Sequence, residues 1–186
     1  IPFLEMRKPT GDPNMRCLNL HHGVNIPDAF MEIIEKCMLD KDADDSWELV
    51  DPNSGLVRET VSAKELWQRV LEMRMQTGEP YLCFTDTANK ALPQWLKDQD
   101  LKINGSNLCT EIDLPTVPLK DINDPDGRIA LCTLSAQNWG NVKNPHDFER
   151  ICKLSVRGLD ALLSYQNYPI LAAELSTKQF RPLGNG

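Results

Sequence analysis

Two hydrophobic periods alternate along this chain, and their order constrains the fold more than any single motif does. Ser62 followed by Glu65 forms a capping box. Leu66, Trp67, Val70, Leu71 and Met75 then recur at three- and four-residue spacing until Gly78 ends the pattern, which predicts a helix between Ser62 and Gly78. Directly after it, YLCF at 81–84 follows Pro80 and reads as a short buried strand, and RIALCTL at 128–134 reads as another. A second helix is expected from about Pro27 to Leu39, with Pro27 suited to a first turn and Phe30, Ile33, Ile34 and Cys37 on one stripe. A third runs from the Asn144-Pro145 cap to about Tyr165, with Phe148, Ile151, Cys152, Leu159, Leu162 and Leu163 on or near its apolar side. MRCLNL, Met15 to Leu20, is a further strand candidate, and the acidic run Asp40 to Asp45 is read as a solvated loop because like charges so dense repel in a packed element. Helices alternating with short buried strands predict an α/β fold with parallel strands. Trp67, Met73 and Met75 are accordingly read as core rather than as a ligand box.

Composition narrows the class. With 186 residues, 41% apolar and 25% charged, the chain suits one domain of ordinary size with a sizeable core. A net charge of -7 and a pI near 5.0 argue against a duplex nucleic-acid binder, whose affinity rests on clustered Lys and Arg, yet leave room for a local basic pocket. No apolar run approaches the ~20 residues of a membrane span, and IPFLEMRKP lacks the layout of a secretory signal, so a cytoplasmic protein is expected. The six cysteines, at 17, 37, 83, 109, 132 and 152, include no CxxC pair, which argues against a structural zinc site or a compact disulfide framework. His21 and His22 are adjacent, so in an extended segment they face opposite ways, and structural or surface roles are expected for both. There is no internal repeat. The chain opens on Ile1 and closes on RPLGNG, which suggests a piece of something longer.

A stretch of roughly 40 residues separates the last two strand candidates, long enough to point to a functional loop rather than a simple connection. It carries SNLCTEI. Read as extended chain, Asn107, Cys109 and Glu111 share one face while Leu108, Thr110 and Ile112 take the other. The residues alone leave two readings open: a half-buried strand with an inert thiol, or a face built for chemistry. Cys132, in ALCTLS, could be brought near the same pocket by a strand and a turn.

Taken in order, TGEPYLCFTDTANKALP, SNLCTEI, ALCTLSAQN and LDALLSYQNYP…RPLG closely resemble the large catalytic subunit of class I ribonucleotide reductase, and the resemblance covers nearly the whole chain from CLNLHHG onward. It implies a ten-stranded α/β barrel, of which residues 1–186 would be the central, incomplete part, with a finger loop at about 99–122. On that loop Cys109 would become a thiyl radical and abstract the 3′-hydrogen of a ribonucleoside diphosphate. Glu111 would act as general base on the 3′-hydroxyl, and Asn107 would orient the ribose, with Ser106, Asn107 and Glu111 in substrate binding. Cys132 resembles one of two redox-active cysteines that end the cycle as a disulfide. Packing is the expected role of Cys37 and Cys152, while Cys17 and Cys83 match no catalytic motif.

The same resemblance implies that the chain itself holds no metal or cofactor. A radical cofactor would sit in a separate small subunit, and ATP and deoxynucleotide effectors would bind outside this segment. The implied partners are the rest of the large subunit, the small radical-generating subunit, and thioredoxin or glutaredoxin, with no membrane and no direct nucleic acid. In the family, Cys132's disulfide partner and the nucleotide effector sites lie earlier, and the phosphate loop and relay tyrosines later, outside this chain. GNG after RPL also departs from the family's alternation of glycine with hydrophobic residues. The isolated chain is therefore expected to be inactive and poorly folded. Two other readings remain: a non-catalytic piece that only assembles with complementary chains, and a cysteine hydrolase pairing Cys109 with His146.

Overall fold

The computed structural model describes residues 2–186. Their contacts group into two compact units, one comprising the chain up to Leu92 with Gly105–Glu111, the other Pro93–Asn104 with Ile112–Gly186.

The first unit begins with a short helix α1 (Pro2–Glu5), followed by strand β1 (Gly23–Asn25) and helix α2 (Asp28–Leu39). A hairpin of β2 (Ser46–Val50) and β3 (Val57–Ser62) leads into α3 (Ala63–Thr77), β4 (Tyr81–Cys83) and α4 (Thr85–Ala91). β1 and β4 pair in parallel, with Gly23 opposite Tyr81 and Asn25 opposite Cys83, so α2, the hairpin and α3 together form the crossover that a parallel pair requires. β2 and β3 pair antiparallel, with an irregularity at Leu49 and Val50.

Local chemistry sets the helix ends. Ser62 caps α3 by accepting the Glu65 N–H at 3.1 Å, and Gly78 closes it at φ 77°, its N–H on Arg74 O. α2 starts one residue later than the sequence suggests, with Pro27 as its cap residue. Pro27 offers no capping side chain, and the Asp28 N–H is held instead by Asp86 Oδ2 at 2.8 Å. Ile26, Phe30, Ile34 and Ala63 form the buried core, with Trp47 and Trp67 edge-on to Phe30 at 5.2 and 6.3 Å. Burying a side chain such as Phe30 contributes ~1.5–3 kcal/mol.

Several expectations fail here for identifiable reasons. Met15–Leu20 is not a strand: Asp12 accepts the Asn14 N–H at 2.9 Å and caps a 3-10 turn at Pro13–Met15, and the strand starts only at Gly23. On α3 the buried face runs through Ala63, Val70 and Met73, while Leu71 is exposed and Met75 is 89% exposed. Met73 is core as expected and Met75 is not, since two residues along a helix is a turn of about 200°.

The second unit contains α5 (Gln94–Lys97), β5 (Leu134–Ser135), α6 (Asp147–Tyr165), α7 (Leu171–Phe180) and β6 (Gly184–Asn185). Leu96, Ile103, Leu159, Leu163, Ala172 and Ala173 are buried. α6 follows Asn144-Pro145 as expected, but Phe148 and Leu162 lie exposed rather than on its buried face. The expected strand from Arg128 to Leu134 is not continuous. Arg128 makes a single antiparallel bridge to Val117, whereas Leu134–Ser135 pairs in parallel with Gly184–Asn185, so its two ends have different partners.

The fold is therefore α/β with parallel and antiparallel pairs. Among the described residues the strands form three two-stranded sheets, and none closes into a barrel. No helix among them is long and apolar enough to cross a membrane.

Candidate functional site

Ser106 to Glu111 is a turn, not the extended strand that its alternation suggests. Its tip lies at Leu108 and Cys109, and the Thr110 N–H returns to Asn107 O at 3.1 Å. Thr110 adopts φ 63°, a left-handed conformation that costs a β-branched residue ~1–3 kcal/mol. The turn brings the polar side chains together more closely than a strand would. Asn107 Nδ2 donates to Glu111 Oε1 at 2.7 Å, and Ser106 Oγ lies 3.4 Å from Asn107 Oδ1. Cys109 is exposed between them in sequence, at the tip. An amide that donates to a carboxylate oxygen keeps that carboxylate oriented.

Cys132 lies in the second unit, exposed and just before β5 rather than within a strand. The neighbouring Thr133 carbonyl accepts the Gly184 N–H at 3.0 Å, which ties this segment to β6. All six cysteines are thiols rather than disulfides among the described residues: Cys17 is exposed, Cys37 is buried, and Cys83 and Cys152 are intermediate. Packing at Cys37 matches the expectation for that position.

One polar cluster in the first unit gave little sequence signal. Glu79, only 3% exposed, accepts from the His22 backbone N–H at 3.3 Å and pairs with His21 Nδ1 at 2.6 Å. His22 is 6% exposed, edge-on to Phe3 at 4.8 Å, and among the described residues neither of its ring nitrogens has a hydrogen-bond partner. Burial pushes the His22 imidazole below its usual pKa against the pull of the Glu79 carboxylate, with Arg7 and His21 adding to the lowering. For Glu79 burial acts upward, but the hydrogen bonds from His21 and the His22 backbone, with the charges of both imidazoles, carry the net shift downward. Both imidazoles approach the one carboxylate, with His22 Nδ1 at 3.8 Å from Glu79 Oε2, so the neighbours do not face opposite ways as extended chain would have them, and their role in this cluster is structural. Glu79 carries no local sequence signal because its partners lie 57 and 58 positions away, beyond any local period.

Fold and turn together define an α/β protein that presents an exposed thiol on a strained loop, with an amide-anchored carboxylate two residues on. The family described as "Ribonucleotide reductase, barrel domain" matches residues 1–186. The chain belongs to that family. It is 54% identical over 138 residues to the putative ribonucleoside-diphosphate reductase large subunit of Frog virus 3 (isolate Goorha), covering 74% of this chain and 22% of that one. Its identity to the ribonucleoside-diphosphate reductase subunit alpha of Haemophilus influenzae is 45% over 129 residues, 69% of this chain and 17% of that one. The ribonucleoside-diphosphate reductase large subunit of Caenorhabditis elegans is 30% identical over 213 aligned positions, 99% of this chain and 25% of that one. The chain spans a quarter or less of the length of these three relatives.

Proposed function

We propose that this chain is the central part of the catalytic barrel of a ribonucleoside-diphosphate reductase large subunit, with residues about 99–122 as the finger loop of a ten-stranded α/β barrel completed by other parts of the subunit. The observation that carries the reading is the 2.7 Å Asn107–Glu111 hydrogen bond across a turn whose tip exposes Cys109. Substrate is a ribonucleoside diphosphate, product the 2′-deoxynucleotide for DNA synthesis, and the setting the cytoplasm.

In this reading the Cys109 thiyl takes the 3′-hydrogen atom, becoming a thiol and leaving a carbon radical. Generating the thiyl is the task of a radical-bearing small subunit outside this chain. Glu111 accepts the 3′-hydroxyl proton, which helps the 2′-hydroxyl leave as water, and Asn107 holds Glu111 and the ribose in register, with Ser106 beside it. Two cysteine thiols, Cys132 and one outside this chain, supply two electrons and two protons and become a disulfide. Cys109 then returns its hydrogen atom to the 3′-carbon. Thioredoxin or glutaredoxin reduces the disulfide. ATP and deoxynucleotide effectors act outside these residues.

General-base assistance contributes typically 10²–10⁴-fold, and does so in the transition state. Glu111→Gln in the assembled enzyme should therefore lower kcat by that order with KM little changed. An unchanged kcat with a raised KM would refute the base role.

A further inference from the structure

Around β5 and β6 a closed circuit of side-chain hydrogen bonds remains that neither the turn nor the core explains. Gln137 Nε2 lies 2.7 Å from Asn185 Oδ1 and 2.8 Å from Ser155 Oγ. The two hydroxyls, Ser135 Oγ and Ser155 Oγ, are 2.6 Å apart, and they lie 2.9 and 2.7 Å from Asn185 Oδ1. Proton counting closes the circuit. Gln137 gives one proton to Asn185 and one to Ser155, one hydroxyl donates to the other, and the remaining hydroxyl donates to Asn185. Asn185 Oδ1 then accepts two bonds, its full capacity, and the four protons on Gln137 Nε2 and the two hydroxyls each find an acceptor within the group. The four residues come from β5, the segment just after it, α6 and β6, so a single amide oxygen joins three elements.

Such a device matters because the ladder it sits on is short. β5 and β6 share only two residue pairs, Leu134 with Gly184 and Ser135 with Asn185, and two pairs define register weakly. A slip of one residue would turn the Asn185 side chain to the opposite face and strand the donors of Ser135, Gln137 and Ser155. Gly184 supports the same register from the other side. A Cβ there would come within 2.6 Å of Leu134 Cδ2.

We propose that Asn185 is a positioning residue: by closing this circuit it pins β5 to β6 in one register and so sets the place of Cys132, three residues before Ser135. The backbone link is direct, through the Gly184 N–H on Thr133 O and the Gly186 N–H on Ser135 O. That the pinned thiol serves nucleotide reduction rests on the reading above. The pinning itself does not.

The test uses the natural full-length polypeptide and two readouts that need no turnover: amide exchange at Gly184 and Gly186, and the alkylation rate of Cys132 relative to exposed Cys17 in the same molecule, mapped by mass spectrometry. Asn185→Leu removes the acceptor and should speed exchange at both glycines by about tenfold or more, the consequence of unpairing half-buried polar groups. The Cys132 to Cys17 rate ratio should change with it, and Asn185→Asp, which keeps an acceptor oxygen, should return both readouts toward the starting values. Ser155→Ala, a milder cut in the same circuit, should move both in the same direction as Asn185→Leu, and serves if the leucine variant fails to fold. Unchanged exchange would overturn the register role, and faster exchange with an unchanged thiol ratio would overturn the positioning of Cys132. If both readouts respond yet Cys132→Ser retains full deoxynucleotide formation with dithiol reductant, the reductase role of Cys132 fails and the pinning stands.

Discussion

The turn at Ser106–Glu111 and the cluster of His21, His22 and Glu79 use similar groups to opposite ends. Both place a carboxylate beside a nitrogen donor, at 2.7 Å in the turn and 2.6 Å in the cluster. In the turn the carboxylate and the thiol are exposed on a backbone that Thr110 holds in a left-handed conformation. In the cluster the carboxylate is buried and receives a backbone N–H from His22, on the segment leading into β1, while itself preceding β4. The first arrangement stands open at the surface; the second is closed off and fastens two strand starts together. The same chemistry thus reads as site or as scaffold according to burial and to what the spare lone pairs touch.

Four substitutions or conditions bear on this contrast, beginning with the largest effect. Asn107→Ala should cut kcat/KM of the assembled enzyme by roughly ten- to a hundredfold, as a bond to a charged group contributes ~1.5–3 kcal/mol. Thermal unfolding should barely change, because the turn is exposed; a large drop in melting temperature with normal turnover would make the turn scaffold. Glu79→Ala should do the reverse, destabilising the first unit by ~1–3 kcal/mol through the unpaired His22 N–H. Denaturant titration checks this, and an unaltered midpoint would remove Glu79 from the scaffold.

The cluster also predicts acid sensitivity with a definite sign. His22 is held below its ordinary pKa of 6.5, so its contribution is fully present above that value and is lost as pH falls through 6.5 towards the lower folded value. Glu79, held below 4.5, contributes above that pH and loses its share as pH falls further. Stability should therefore decline in two windows on acidification, and His22→Phe should flatten only the upper one. A variant whose stability still falls just below pH 6.5 as in the parent would show that His22 is not the group responsible. The smallest effect is expected at Thr177, fully buried on α7 with its hydroxyl unpartnered among the described residues: Thr177→Val should be neutral or stabilising by up to ~1 kcal/mol, measured by the same titration.

Elements whose signals are local could be read from the chain. The capping Ser62 and the αL Gly78 directly flank the helix they bound, and YLCF carries its own β-branched-free but apolar run between a proline and a helix start. Elements defined by a distant partner could not. Arg128–Leu134 looks like one strand until Val117 claims one end and Gly184–Asn185 the other. SNLCTEI shows how a right grouping can follow from a wrong geometry: alternation placed Asn107 with Glu111 through a strand, whereas a turn closed by Thr110 N–H on Asn107 O brings them together. GNG departs from an apolar alternation because Asn185 is satisfied by Ser135, Gln137 and Ser155, all of them 30 or more positions away in sequence, on β5, just after it and on α6.

The central claim is that Cys109 carries the radical chemistry, and replacing its sulfur tests it most directly. Serine is nearly isosteric, but its O–H bond is too strong for reversible hydrogen exchange with a ribose carbon. Deoxynucleotide formation should be measured for Cys109→Ser in the fully assembled enzyme, alongside circular dichroism and substrate affinity. The account predicts no product above background with fold and affinity retained; an appreciable rate of reduction by the serine variant would contradict it.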